Sequence, residues 1–173
     1  MDDAIRVVAE MNESIWDRLE SALEDLTEEE IHWRLLPRAN TIGVIVRHLR
    51  IEAQWHVDCL EHGVPMPRIA APVHQKSIDA VPSDFAENFR KLKELCARFR
   101  EILRTATLNT LQQRTAAAYG EAGEREGGIY RLGYQQALHL AIHCGQIRTI
   151  RNLYRTTRGQ PARFSPENPT YPK

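Results

Sequence analysis

The sequence predicts an all-α chain folded as a four-helix bundle with a long crossover between helices two and three. Three observations carry that prediction. Apolar residues recur at intervals of three, four and seven through four long segments. Between the second and third of these, residues 63–82 hold four prolines (Pro65, Pro67, Pro72, Pro82), a connection long enough to let the next helix enter away from its predecessor. No segment reads as a strand.

The first helix is expected from about Asp3 to Leu26, where Ile5, Val8, Ile15, Leu19, Ala22, Leu23 and Leu26 form one stripe. Thr27 then suits the cap of a short helical piece, with Glu30 in the capping-box position and Glu28–Glu30 favoured by the helix dipole; Pro37 ends it. Asn40 or Thr41 caps the second long helix, which runs to His62 and stops at Gly63. Ser83 is the expected cap of the third, whose Phe85, Phe89, Leu92, Cys96, Phe99 and Leu103 make a packing seam. A further turn is expected over Thr107–Leu111, and four of the nine glycines mark a loop over 120–128. The last helix, from about Ile129 to Tyr154, is apolar on more than one face and is expected to be the most buried. One domain thus spans 1–158, and the proline-rich residues 159–173 form an extended tail, loose or laid across a neighbouring surface.

Composition narrows the function classes. The 23 basic residues balance the 23 acidic ones, so no overall field favours nucleic acid or an anionic membrane. No apolar run approaches the roughly 20 residues of a membrane helix, and the acidic start MDDAIR predicts no signal peptide. Three cysteines without C-x-x-C spacing (Cys59, Cys96, Cys144) suit free thiols in a reducing cytoplasm.

His139 and His143 lie four apart, about 40° around a helix, so both imidazoles can reach one metal ion. Spacing alone equally suits two half-buried or interface histidines. Context favours ligands, because imidazoles in a core need partners for their nitrogens, and His48 lies on the inner face of another helix between Ile45 and Leu49. Three such ligands leave coordination positions open for water or substrate.

The segment NTIGVIVRHLRIEAQW (Asn40–Trp55), the segment LHLAIHCGQI (Leu138–Ile147) and the upstream LTEEEIHWRLLPRAN together resemble the DinB-like (DinB/YfiT-like) superfamily. In its pattern a Ser/Thr–Ile–Gly start leads into a helix bearing the first histidine ligand, and two more lie four apart on the last helix, the later one before x-Gly-Gln. The resemblance implies metal ligands at His48, His139 and His143, a divalent ion such as zinc, nickel, iron or manganese, and a bacterial protein that is often dimeric. Characterised relatives include thiol transferases and isomerases acting with low-molecular-weight thiols such as bacillithiol or mycothiol. Cys144 departs from the pattern, since many members carry a histidine or arginine near the last ligand, and this leaves the substrate class open.

Glu52, one turn after His48, suits an added ligand or a catalytic general base; the competing role is partner to Arg47, Arg50 or a histidine nitrogen. Gln146 is placed to orient His143 or equally to bond to a neighbouring helix, and Gly145 to allow close helix approach. Trp55 and His56 fit packing better than a pocket mouth, and Tyr134 lies off the ligand face. Cys144 fits an ordinary buried thiol, His32, His62 and His74 solvated ends, and the run Arg148, Arg151, Arg155, Arg158 a solvated helix end. Two functions remain: a metal-dependent thiol S-transferase or hydrolase acting on a small molecule, or a non-catalytic, stress-linked metal-binding or dimerisation module. A homodimer, with neither nucleic acid nor membrane as partner, is expected in both.

Overall fold

The computed structural model describes residues 2–65, 83–119 and 128–165, together with Gln75 and Asp79. Every regular element among them is helical: α1 (Asp3–Leu23), α2 (Glu28–His32), α3 (Ile42–His62), α4 (Phe85–Thr105), α5 (Leu108–Tyr119) and α6 (Gly128–Thr156). The expected crossover and glycine-rich loop, His74 and the end of the tail lie largely or wholly outside the described residues.

Local chemistry sets the boundaries. The Asp2 carboxylate accepts from the Ala4 and Ile5 amides to start α1, which stops at Leu23 because Glu24 is extended and Asp25 takes a φ of 53°. Leu26 therefore lies beyond the helix, although it still packs on the core. Thr27 and Glu30 form the expected capping box. Thr41 supplies the cap of α3, its hydroxyl accepting from the Val44 amide at 3.2 Å. Gly63 closes α3 at φ +66°, a conformation that disfavours a Cβ. The cap of α4 is Asp84, not Ser83: the Asp84 carboxylate accepts from the Glu87 amide at 3.0 Å.

The turn expected over Thr107–Leu111 is the start of a 12-residue helix, α5. Past Leu111 its inward positions are Thr115 and small alanines, too weak an apolar signal to extend the pattern. Thr115 is buried nonetheless, its hydroxyl donating to the Leu111 carbonyl at 2.8 Å. Arg114 ties α5 to the end of α3 by donating to the Leu60 carbonyl at 2.7 Å.

Helix α3 packs along α4 and α1 along α6, while α1 also meets α4 and α3 meets α6. One part of the core gathers Leu19, Ile45, Leu49, Leu92, Leu140 and Ile147; the other gathers Ile5, Leu60, Phe99, Leu103, Leu111 and Leu132. Each fully buried side chain of this kind contributes roughly 1.5–3 kcal/mol relative to exposure. The close approach of α1 and α6 occurs at Gly133, where a Cβ would lie 2.1 Å from Val8 Cγ1. Gly145, expected to serve that purpose, does not: a Cβ there would meet nothing within 4 Å.

The expectation that the last helix is the most buried is also corrected. Tyr134, Leu138 and Ile142 are 54%, 44% and 50% exposed and form a stripe at four-residue intervals along α6. The helix is apolar on two faces, but only one of them meets the core. Beyond α6 the chain turns at Gly159, and Asn152 and Phe164 exchange two hydrogen bonds of 3.0 and 2.9 Å. The described part of the tail thus lies back along α6. No described helix is long and apolar enough to cross a membrane.

Candidate metal centre

His48 projects from α3, and His139 and His143 from α6, at the contact between these helices. All three are half-buried, so their nitrogens face one another at the margin of the core rather than deep within it. His139 Nε2 lies 2.8 Å from His48 Nε2 and 3.0 Å from His143 Nε2. The ring centroids are 4.6–4.9 Å apart with interplanar angles of 72–84°, so the rings fan around a common point.

This arrangement suits a cation better than protons alone. The His143 Nδ1–H donates to Gln146 Oε1 at 2.8 Å, which leaves His143 Nε2 as a bare lone pair in the neutral ring. His139 Nε2 then has a single proton or lone pair to offer two neighbouring nitrogens. A divalent ion accepts all three lone pairs at once. Metal–imidazole bonds of about 2.0–2.1 Å would hold neighbouring ligand nitrogens roughly 3 Å apart, the scale of the two spacings seen here. Burial also lowers the pKa of His143, holding it in the neutral form a metal requires. Among the described residues these three histidines are the group of metal-ligating side chains close enough to share one ion.

Glu52 lies one turn further along α3. Burial pushes its carboxyl up to about 7, because desolvation penalises the anion. That is the pKa range of a proton acceptor working near neutrality. His56, one turn beyond, is fully buried against Phe99; its Nδ1–H donates to the Glu52 carbonyl at 2.8 Å, and burial holds its pKa at about 4. His56 is a packing residue. Trp55 is half-buried, Tyr134 is exposed, and Cys144 is a buried thiol whose pKa burial raises. His32 and His62 are exposed at helix ends, beside Glu28 and Glu61.

The arginine run was not legible as it stands. Arg151 is not solvated but 1% exposed. Its Nε donates to Glu30 Oε1 at 3.2 Å, and its Nη1 to the carbonyls of Ala22 and Glu24 at 3.0 and 2.8 Å. A signal existed: Arg151 follows His143 by eight residues, about 80° around the helix, and lies near the core-facing Ile147.

A family model described as mycothiol-S-transferase matches residues 8–156, a span that contains His48, Glu52, His139, His143 and Gln146. No curated protein matches the chain, and no solved structure does.

Proposed function

Because the chain belongs to the mycothiol S-transferase family, within the DinB/YfiT-like superfamily, we propose that it is a metal-dependent thiol S-transferase with its ion on His48, His139 and His143. The observation that carries this reading is the convergence of three imidazole nitrogens, one of them locked by Gln146, in a chain of that family. A divalent ion there, whether zinc, nickel, iron or manganese, supplies a positive charge that lowers a thiol's pKa so that thiolate forms at neutral pH. The substrate is a low-molecular-weight thiol, mycothiol by family, together with an electrophilic small molecule.

The side chains divide the remaining work. Glu52 acts as the catalytic base: the thiol S–H bond breaks and its proton passes to the Glu52 carboxylate. The sulfur lone pair forms a C–S bond at the electrophilic carbon, and the bond from that carbon to the leaving group breaks with its electron pair. Gln146 fixes the tautomer and direction of His143.

Steady-state thiol conjugation by the metal-loaded protein, with mycothiol and a chromogenic haloarene, tests the reading. Wild type consumes the thiol, and Glu52→Gln lowers kcat about 100-fold or more while metal content stays unchanged. A base must be deprotonated, so the wild-type rate rises as pH increases toward about 7; a nearby cation moves that limb lower. The variant has no such limb. The same raised pKa means the folded state disfavours the Glu52 anion, so its burden on stability grows as pH rises from the ordinary carboxylate range through about 7. Glu52→Gln therefore raises the Tm of the metal-free protein at pH 8 and has little effect at pH 4.5. Unchanged kcat and pH profile in the variant would remove Glu52 from the mechanism; no conjugation by wild type with any thiol would remove the function.

The same reading makes α1, α3, α4 and α6 the four-helix bundle of the superfamily over residues 1–158, with 159–173 as its tail. It also sets the protein in a reducing cytoplasm, where its cysteines stay free. A second copy of the chain is the proposed partner for the Tyr134–Leu138–Ile142 stripe. Sedimentation velocity checks this: a dimer is expected that Ile142→Glu converts to monomer, and a monomeric wild type at tens of micromolar overturns it.

A further inference from the structure

Beside the three histidines, the α3–α6 contact opens into a groove of about 460 Å³ that runs toward the α2–α3 linker. Leu35, Ile45, Gly145, Thr149, Ile150 and Leu153 line it, and among the described residues no charged side chain does. Its near end adjoins the histidines without being lined by them: Gln146, which accepts from His143 Nδ1, lines the groove, and Ile45 lies three residues before His48. Three residues of helix rise about 4.5 Å, so this end begins within one turn of two of the three ligands. From Gln146 to Leu153 the groove follows two turns of α6, about 10 Å. Its volume is within the range of small-molecule sites.

We propose that this groove binds the second substrate of the thiol transfer, an uncharged and largely apolar electrophile, with its reactive carbon at the Gln146 end and its apolar body along Gly145, Thr149 and Leu153. The inference rests on the thiol-transferase reading for the reaction, but not for the binding. The thiol itself does not suit the groove: cellular low-molecular-weight thiols are polar and gain nothing by leaving water for an aliphatic wall without charges. An alkyl or aryl group gains from every methylene buried there. Asn40 offers a polar contact at the far end, so the whole surface is that of an apolar ligand with a neutral polar group.

Gly145 makes the test clean. It lies within α6 and lines the groove, and a Cβ there meets nothing within 4 Å, so Gly145→Leu adds apolar bulk at the groove wall with open space for its first carbon. N-phenyl-1-naphthylamine, a neutral apolar fluorophore, is titrated into wild type and variant with the metal bound. Wild type is expected to enhance its fluorescence saturably, and Gly145→Leu to weaken binding at least tenfold with metal content unchanged. Adsorption to the exposed stripe of α6 would predict the opposite, since the variant adds apolar surface. In the conjugation assay, lengthening the electrophile from ethyl to hexyl raises kcat/KM by up to about fourfold per methylene in wild type, and the trend flattens in the variant. Probe binding lost in Gly145→Leu supports the groove even if no thiol is transferred, so its failure and that of the enzyme reading are separable. Binding equal in both proteins overturns the proposal. So does a signal that appears only on dilution, because the groove is then covered by a second copy of the chain.

Discussion

His139→Ala is expected to leave the protein folded and to remove its metal. Elemental analysis of protein prepared without an affinity tag should find about one divalent ion per wild-type chain and none in the variant. His139 is the most informative of the three ligands because its Nε2 is the one within 3.0 Å of both others. Loss of a direct ligand should exceed the roughly 10–100-fold in affinity that partners behind the ligands contribute. The fold should survive, since His139 is half-buried, alanine is the best helix former, and the crowding of three nitrogens is relieved. The metal-free Tm of the variant is therefore equal to wild type or above it. Added metal at 100 times its Kd stabilises a binding-competent chain by about 2.7 kcal/mol, so it raises the Tm of wild type alone. A variant that keeps its metal would move the site away from these histidines. A wild type that takes up neither zinc, nickel, iron nor manganese would make them structural and leave a non-catalytic module.

What the sequence disclosed of this centre, and what it hid, follow from how each residue signals its surroundings. The convergence of His48, His139 and His143 was legible because helical spacing fixes direction: two histidines one turn apart share a face, and the third sat between apolar neighbours that had to point inward. For Gln146 the same spacing left two partners open, His143 or a neighbouring helix, and the fold pairs it with His143 Nδ1. The groove was not legible. It depends on how the α2–α3 linker passes over α6, which periodicity does not encode, and Gly145 looks the same in a sequence whether it adjoins a helix or open space. The face of α6 carrying Leu138 and Ile142 misled in the opposite sense, because an exposed apolar stripe and a stripe in the core have one pattern. Ser83 and Asp84 are both good caps, and only backbone geometry selects Asp84.

Arg151→Met should be strongly destabilising, by about 3–5 kcal/mol, because it strands a buried carboxylate. For a chain of this size that is a fall in Tm of roughly 10 °C, readable by calorimetry or circular dichroism. Arg151 and Glu30 are 1% and 3% exposed, and the guanidinium also serves the carbonyls that α1 leaves unpaired at its end. Glu30 divides its oxygens: Oε1 accepts from Arg151 and Oε2 from the Thr27 amide. One pair thus fastens the end of α1, the start of α2 and the C-terminal part of α6. A solvated arginine at a helix end, the role its charged neighbours suggest, would change stability by no more than about 0.5 kcal/mol on replacement. The size of the effect therefore separates the two accounts. Glu30→Gln added to Arg151→Met sharpens the test, since glutamine keeps the capping box while removing the unpaired charge. If charge burial dominates, the double variant recovers a large part of the loss; if the carbonyls of Ala22 and Glu24 dominate, it recovers little. Metal affinity decides how far this fastening matters to the centre. Ile31 of α2 bears on α3 at Gly43, where a Cβ would lie 3.3 Å from Ile31 Cγ2. Slack at Arg151 therefore reaches the start of the helix that carries His48, and the folded single variant should hold its metal less tightly than wild type, whereas an unaltered metal affinity would confine the role of Arg151 to stability.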